Sequence, residues 1–386
     1  MPTGAARVFR GLVMRRSVLA GFAAAIGIPL SAGFAAAPLT PASAAATATA
    51  ARHGVVIVVS PGHSIQAAVD RARPGDTVLV RAGVYHQDVL IQVSGITLRG
   101  SGSSRHGTVL LPPDHPRHDF CNATFGPTGV CVLARELTAT GGVLRPVRND
   151  TVTGLHIARF AGNGLFGYGT SGLTVTHVTA VRDGAYGISR FRSTKTLFAH
   201  DTAIGNDEAG FYIGDSPRAD TLVTDDHAFG NQFGVFIRHA RRVSVSRNLL
   251  VGNCQGILVL DDGQHGGAGS SVIEHNTVRH NNKFCPKHGE TPVNLQGGGI
   301  LLLGATRMLV SHNLVAGNRG HLLNSGGIVV ASAAALTHGG NPRKVLVSRN
   351  TALGNQPADL IWDGTGHQIA FVRNRCRTSL PPGLCH

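Results

Sequence analysis

Apolar residues recur in one short phrase along most of the chain. From Gly164 onward a glycine is followed by a branched or aromatic run: Gly187-Ile188-Ser189, Gly210-Phe211-Tyr212-Ile213, Gly234-Val235-Phe236-Ile237, Gly256-Ile257-Leu258-Val259-Leu260, Gly299-Ile300-Leu301-Leu302-Leu303 and Gly327-Ile328-Val329-Val330. The glycines step by 23, 23, 24, 22, 43 and 28 residues, a period near 23 with two insertions. Asn or Asp recurs independently in pairs five residues apart: Asp201/Asn206, Asp226/Asn231, Asn248/Asn253, Asn276/Asn281, Asn313/Asn318 and Asn350/Asn355. These residues tolerate left-handed backbone and bond their own main chain at bends. Stacked copies can hand amide hydrogen bonds from one turn to the next.

One period holds about three short strands, for example 243–245, 249–251 and 257–260. Strands this short between Asn and Gly bends predict a coil rather than hairpins, and stacked coils make parallel sheets. Side chains alternate along a strand, so Ile257 and Val259 point in and Leu258 out. The same rule buries Ile188, Phe211, Ile213, Val235, Ile237, Ile300 and Ile328. No sustained 3.6-residue period follows residue 73, which excludes a βαβ fold. Before the coils, Ser64 caps a short helix carrying Ile65, Ala68, Val69 and Ala72, and Pro74-Gly75-Asp76 breaks it. Such a helix would cover the open end of the core. Segments 112–150 and 263–297 interrupt the period and read as inserted loops.

The phrases SPGHSIQAAVDRARPGDTVLV, GVYHQDVLI, GITLRG, and AYGISRFRS through GNCQGILVLDDG resemble the right-handed parallel β-helix repeat superfamily, the pectate-lyase-like fold. The resemblance covers residues 55–376 and implies an all-β solenoid with an N-terminal capping helix. Mannuronan C5-epimerase repeats and nitrous-oxide-reductase accessory proteins are similar, as is an uncharacterised exported bacterial subgroup. The epimerases carry Asp-Pro-His-Glu after a Tyr-Gly-Phe. Here Tyr186-Gly187-Ile188 is followed by Ser189-Arg190-Phe191-Arg192, so that catalytic set is absent at the matching place. The separated aspartates of polygalacturonases find a near match only in Asp225-Asp226.

Composition narrows the class. Of 386 residues, 42% are hydrophobic and 15% charged, which excludes global disorder, and the 51 glycines show no every-third spacing, which excludes collagen. Arg7, Arg10 and Arg15-Arg16, an apolar stretch over 18–30 and Ala42-Ser43-Ala44 predict an export signal over 1–44, by the twin-arginine route. A linker over 45–54 follows, and 377–386 is a C-terminal tail. Lys+Arg exceed Asp+Glu by 35 − 21 = 14; the signal holds four arginines and no acids, leaving +10 in the mature chain. No later stretch is long and apolar enough to span a bilayer. Six cysteines suit an oxidising compartment and predict Cys121–Cys131, Cys254–Cys285 and Cys376–Cys385.

Aligned on their glycines, the coils place Arg192, Asp215, His239 and Asp261 in one polar column, adjacent coils lying about 4.8 Å apart. Arg190, Arg238 and Asp262 flank it, with Arg241 and Arg242 close by. The column offers a base, an acid and a cation for an acidic sugar; as plain turn residues the same groups would only pair with one another. Tyr212, Phe236, Leu258, Leu301 and Val329 form an outward stripe that either stacks on sugar rings or lies under the inserted loops. The expected partner is an anionic polysaccharide, bound or modified by lyase, epimerase or hydrolase chemistry. A non-catalytic envelope scaffold and a metalloenzyme accessory protein are the alternatives. No cofactor is expected, with Ca²⁺ at Asp207-Glu208 or Asp225-Asp226 as the alternative, although their spacing fits no recognised loop; His115/His118 and His275/His280 fit no metal motif, and Gly162, Gly164 and Gly167 open no dinucleotide-binding helix. Neither a nucleic-acid partner nor an oligomer is expected.

Overall fold

In the computed structural model, residues 54–288, 291–334 and 336–385 are described. The expected export signal, and the linker up to residue 53, lie outside them. The chain winds through three parallel sheets of 12, 10 and 11 strands, here sheets I, II and III. One coil runs from Phe233–Ala240 in sheet III to Val243–Ser246 in sheet I and Leu249–Val251 in sheet II, then returns to sheet III at Gln255–Leu260. The register is unbroken across coils, with Phe211, Val235, Ile257, Ile300 and Ile328 in successive lateral pairs. All nine residues expected inside are fully buried. No helix among the described residues is long and apolar enough to cross a membrane.

The recurrent glycines are needed for close backbone approach. A Cβ on Gly234 would stand 2.6 Å from the Gly256 carbonyl oxygen, and one on Gly299 only 2.2 Å from that of Gly327. Both members of each Asn/Asp pair form ladders, one at each end of the sheet II strands. The Asn253 amide nitrogen of the side chain donates to Ala228 O at 3.1 Å and to Asn281 Oδ1 at 2.8 Å, and its oxygen accepts from Asn231.

Helix α1 (Ile65–Arg71) starts on Ser64, whose hydroxyl accepts from Ala67 N, and buries Ile65, Ala68 and Val69 over the first coil. Helix α2 (Phe120–Phe125) lies in the 112–150 segment, which is less of an interruption than expected: Val130–Leu133 within it is a strand of sheet III. The 263–297 segment is likewise not one loop. Gly269–Glu274 and Thr277–Arg279 continue sheets I and II, so the added chain is a short bend over 261–268 and a loop over 280–297. The 43-residue step between Gly256 and Gly299 sums a regular coil and this extra chain. The tail also joins the solenoid, through Ser379–Leu380 beside Leu360–Trp362. All three expected disulfides are present.

Candidate functional site

Strand register places the predicted column as expected. Phe191, Gly214, Arg238 and Leu260 are lateral neighbours, so Arg192, Asp215, His239 and Asp261 follow in line on successive coils. Arg192, Asp215 and His239 share left-handed backbone, with φ of 46°, 48° and 49°. Their side chains diverge. His239 is held between two carboxylates, its Nδ1 at 2.9 Å from Asp215 Oδ1 and its Nε2 against Asp262 Oδ1. Arg238 donates to the other Asp262 oxygen through Nε at 3.0 Å and Nη2 at 2.9 Å. Burial disfavours the charged imidazolium, but the hydrogen bonds with Asp215 and Asp262, with the charge of Asp262, hold the His239 pKa above its ordinary value. Burial would raise Asp262, yet His239 and Arg238 hold it down at about 2. The result is a closed ionic clamp, Asp215–His239–Asp262–Arg238.

Several expected members stand elsewhere. Asp261 accepts from Gly263 N within its own turn, and Asp262 takes the place it was given. Arg192 reaches Gly141 O at 2.8 Å and lies over the Tyr168 ring, away from His239. Arg190 does not flank the column at all. Its register with Ile213 points it inward, where it is fully buried and donates to Ser216 Oγ, Ala219 O and Thr221 Oγ1. Desolvation lowers its pKa to about 9. Counting two residues from Ile188 would have shown this parity. Arg241 donates to Gly266 O and Ser270, and Arg242 pairs with Asp220, so the arginines near the column are engaged. Asp225 and Asp226 face opposite sides of the wall, one paired with Arg247 and the other inside the ladder, so they present no joint cation site.

Tyr212 and Phe236 do point outward; Tyr212 is closed off by its neighbours, while Phe236 keeps one side on a cavity. Tyr212 stacks between Tyr186 at 4.3 Å and Phe191 at 4.6 Å, and Phe236 meets it edge-on at 5.3 Å. From α2, Phe120 packs on Tyr168, and Phe125 on Phe166, Tyr186 and Phe191. Cys121–Cys131 ties this cover to sheet III, and Cys254–Cys285 ties down the 280–297 loop.

Between that loop and sheet III lies a cavity of about 200 Å³. Phe233, Phe236 and Leu258 contribute its apolar lining, and Arg238 and Asp262 bring the clamp to its wall, which Glu208 also lines. Gln255 and Asn324 also line it. Both amide atoms of Gln255 and Oδ1 of Asn324 are buried without a hydrogen-bond partner among the described residues. A second cavity, of about 580 Å³, shares Val293, Leu303, Asn324 and Leu336 with the first and continues to Ile361 and Asp363. Lys287 stands on its wall, and its ammonium has no partner among the described residues. Gln255 was missed in the sequence, although a signal existed. Its lateral row reads Ala209, Phe233, Gln255, Gly298 and Gly326, with one polar side chain among apolar residues and glycines.

The family described as "Right handed beta helix region" matches residues 163–352. The chain belongs to the right-handed parallel β-helix superfamily. Solved structures agree along the length of this β-helix. The A-module of Azotobacter vinelandii mannuronan C-5 epimerase AlgE4 superposes with a TM-score of 0.53 at 15% identity, covering 81% of this chain and 90% of that one. An alginate lyase from Paenibacillus sp. str. FPU-7 gives 0.56 at 14%, over 81% and 99%. DFA-IIIase from Arthrobacter chlorophenolicus A6 without its lid gives 0.53 at 15%, over 80% and 86%. At these identities the likeness is one of fold. No curated protein matches this β-helix by sequence.

Proposed function

We propose that this β-helix is an exported protein that binds an acidic polysaccharide in the groove over sheet III. The observation that carries the reading is the buried, unpartnered amide of Gln255, with the unpartnered Oδ1 of Asn324, facing a cavity with aromatic walls. An unsatisfied buried amide costs about 1–3 kcal/mol, and a ligand rich in hydroxyls would recover it. A sugar ring combines such hydroxyls with an apolar face that packs on Phe233 or Phe236. The two joined cavities extend along the sheet, which suits a polymer better than a single sugar. Lys287 and the +10 mature charge favour an acidic one. Three disulfides support an oxidising location.

The clamp supports binding over catalysis. Both ring nitrogens of His239 are committed to carboxylates, so neither is open to take a proton from a sugar. The test is titration calorimetry of the mature protein with polygalacturonate, alginate and neutral dextran. We expect binding to the acidic polymers only, and at least ~10-fold weaker binding by Gln255→Leu, the equivalent of about one lost hydrogen bond. Gln255→Leu should fold as well as wild type, because it removes an unpaired amide. Equal affinity for dextran, or undiminished binding by Gln255→Leu, would sink the reading. Release of unsaturated uronate products would restore the enzymatic alternative.

A further inference from the structure

On the far side of the coils from the groove, the outer face of sheet I ends in a regular column. His275, His312, Arg349 and Arg373 follow the lateral neighbours Glu274, Ser311, Ser348 and Val372. All four are exposed. They share φ values of 57°, 55°, 55° and 53°, so the backbone aims them alike, and the rings of His275 and His312 stack at 5.1 Å and 6°. The column therefore advances one residue per coil, about 4.8 Å at each step.

Across the same strands lies a second line, Arg307 beside Lys344, with Arg343 next to them. Five residues of extended chain separate Lys344 from Arg349, about 17 Å. Earlier coils on this face neutralise their cations, Arg242 by Asp220 and Arg247 by Asp225. The last coils do not. No acidic residue occurs from 291 to 358, and Arg307, Arg343, Lys344, Arg349 and Arg373 have no acidic partner among the described residues. The nearest carboxylate on the column is Glu274, 4.0 Å from His275 at its start. Of the mature +10, residues 291–386 supply eight arginines and lysines against two aspartates, or +6.

We propose that this column is a rail for a linear anionic glycan lying parallel to the coil axis. Evenly spaced donors, Arg349 and Arg373 among them as fixed charges, are held by backbone conformation and meet evenly spaced carboxylates or sulfates without ordering long loops. A straight line of charge suits a single extended chain. That the polymer is a glycan rests on the groove reading above; that a polyanion binds here does not.

The experiment compares wild type, Arg349→Asn/Arg373→Asn, and Gln255→Leu on polygalacturonate across a salt series. Asparagine accepts left-handed backbone, so the double variant keeps the bend. We expect it to bind about 10-fold more weakly at low salt, with a shallower salt dependence reflecting about two lost ionic contacts. Its unfolding midpoint should stay at the wild-type value. Affinity within about twofold of wild type, at an unchanged salt slope, would overturn the rail. So would tighter binding to duplex DNA or to phosphatidylglycerol vesicles than to polygalacturonate. Loss in the double variant with full binding by Gln255→Leu keeps the rail and rejects the groove; the reverse result rejects the rail alone.

Discussion

Replacing Asn253 by alanine should lower the stability of the folded chain by about 3 kcal/mol, because one substitution strands several buried groups at once. Asn253 is fully buried, and its side chain makes four hydrogen bonds. Alanine leaves the Ala228 carbonyl, Asn281 Oδ1 and both Asn231 donors each one hydrogen bond short. The backbone N–H of residue 253 would still donate to Asn281 Oδ1 at 3.0 Å, which limits the loss. Denaturant titration followed by circular dichroism would measure it. A midpoint equal to wild type would show that the ladder contributes nothing.

Asp226→Asn should act in the opposite direction, and its effect should grow with pH. Asp226 occupies the ladder position next to Asn248, and its Oδ2 is buried without a partner. Burial raises its pKa far above the unfolded value of about 3.9, to about 8, against the hydrogen bonds from Asp201 and Thr224 N–H groups. The unfolded chain therefore loses this proton at lower pH than the folded chain does. Stability from the group is complete below pH ~4 and is lost as pH climbs through the folded value. Asparagine does not titrate, and it adds the second donor that Asn248 already uses on Val223 O and Asn276 Oδ1. The variant should match wild type near pH 4 and gain on the order of 2–4 kcal/mol by pH 8. Unfolding midpoints at both pH values decide it; a gain that shrinks as pH rises would contradict the assignment. Asp201, one coil earlier and also raised by burial, couples to the same site, so Asp201→Asn should reproduce part of the gain.

The fold was legible because each of its rules is local and repeated. A glycine every coil, an Asn at each bend and alternation of side chains suffice to specify stacking, and all nine inward positions followed from them. The candidate site was less legible, because its contacts are not repeated from coil to coil. Register fixed where Arg192, Asp215, His239 and Asp261 start, but a left-handed bend splays side chains, and one residue of difference exchanged Asp261 for Asp262. Arg190 is a separate case. Its charge suggested the surface, while its parity required the core, where Ser216, Thr221 and a carbonyl compensate it. The groove depended on chain far from its floor: Leu295, Leu336 and Asn324 come from bends whose path no periodicity encodes.

Floor and roof of the groove thus answer to different constraints. The floor belongs to sheet III, where any change meets the glycine contacts and the amide ladders of the adjoining coils. The roof is the loop over 280–297, fastened at Cys254–Cys285, and the turn around Leu336. The loop leaves sheet II after Thr277–Arg279 and rejoins sheet III at Gly298–Leu303, so its length is set by neither the coil rise nor the strand register. A lineage could shorten, lengthen or recompose that segment and leave the solenoid's own hydrogen bonds untouched. In the binder proposed here, ligand preference is free to drift while the scaffold stays fixed.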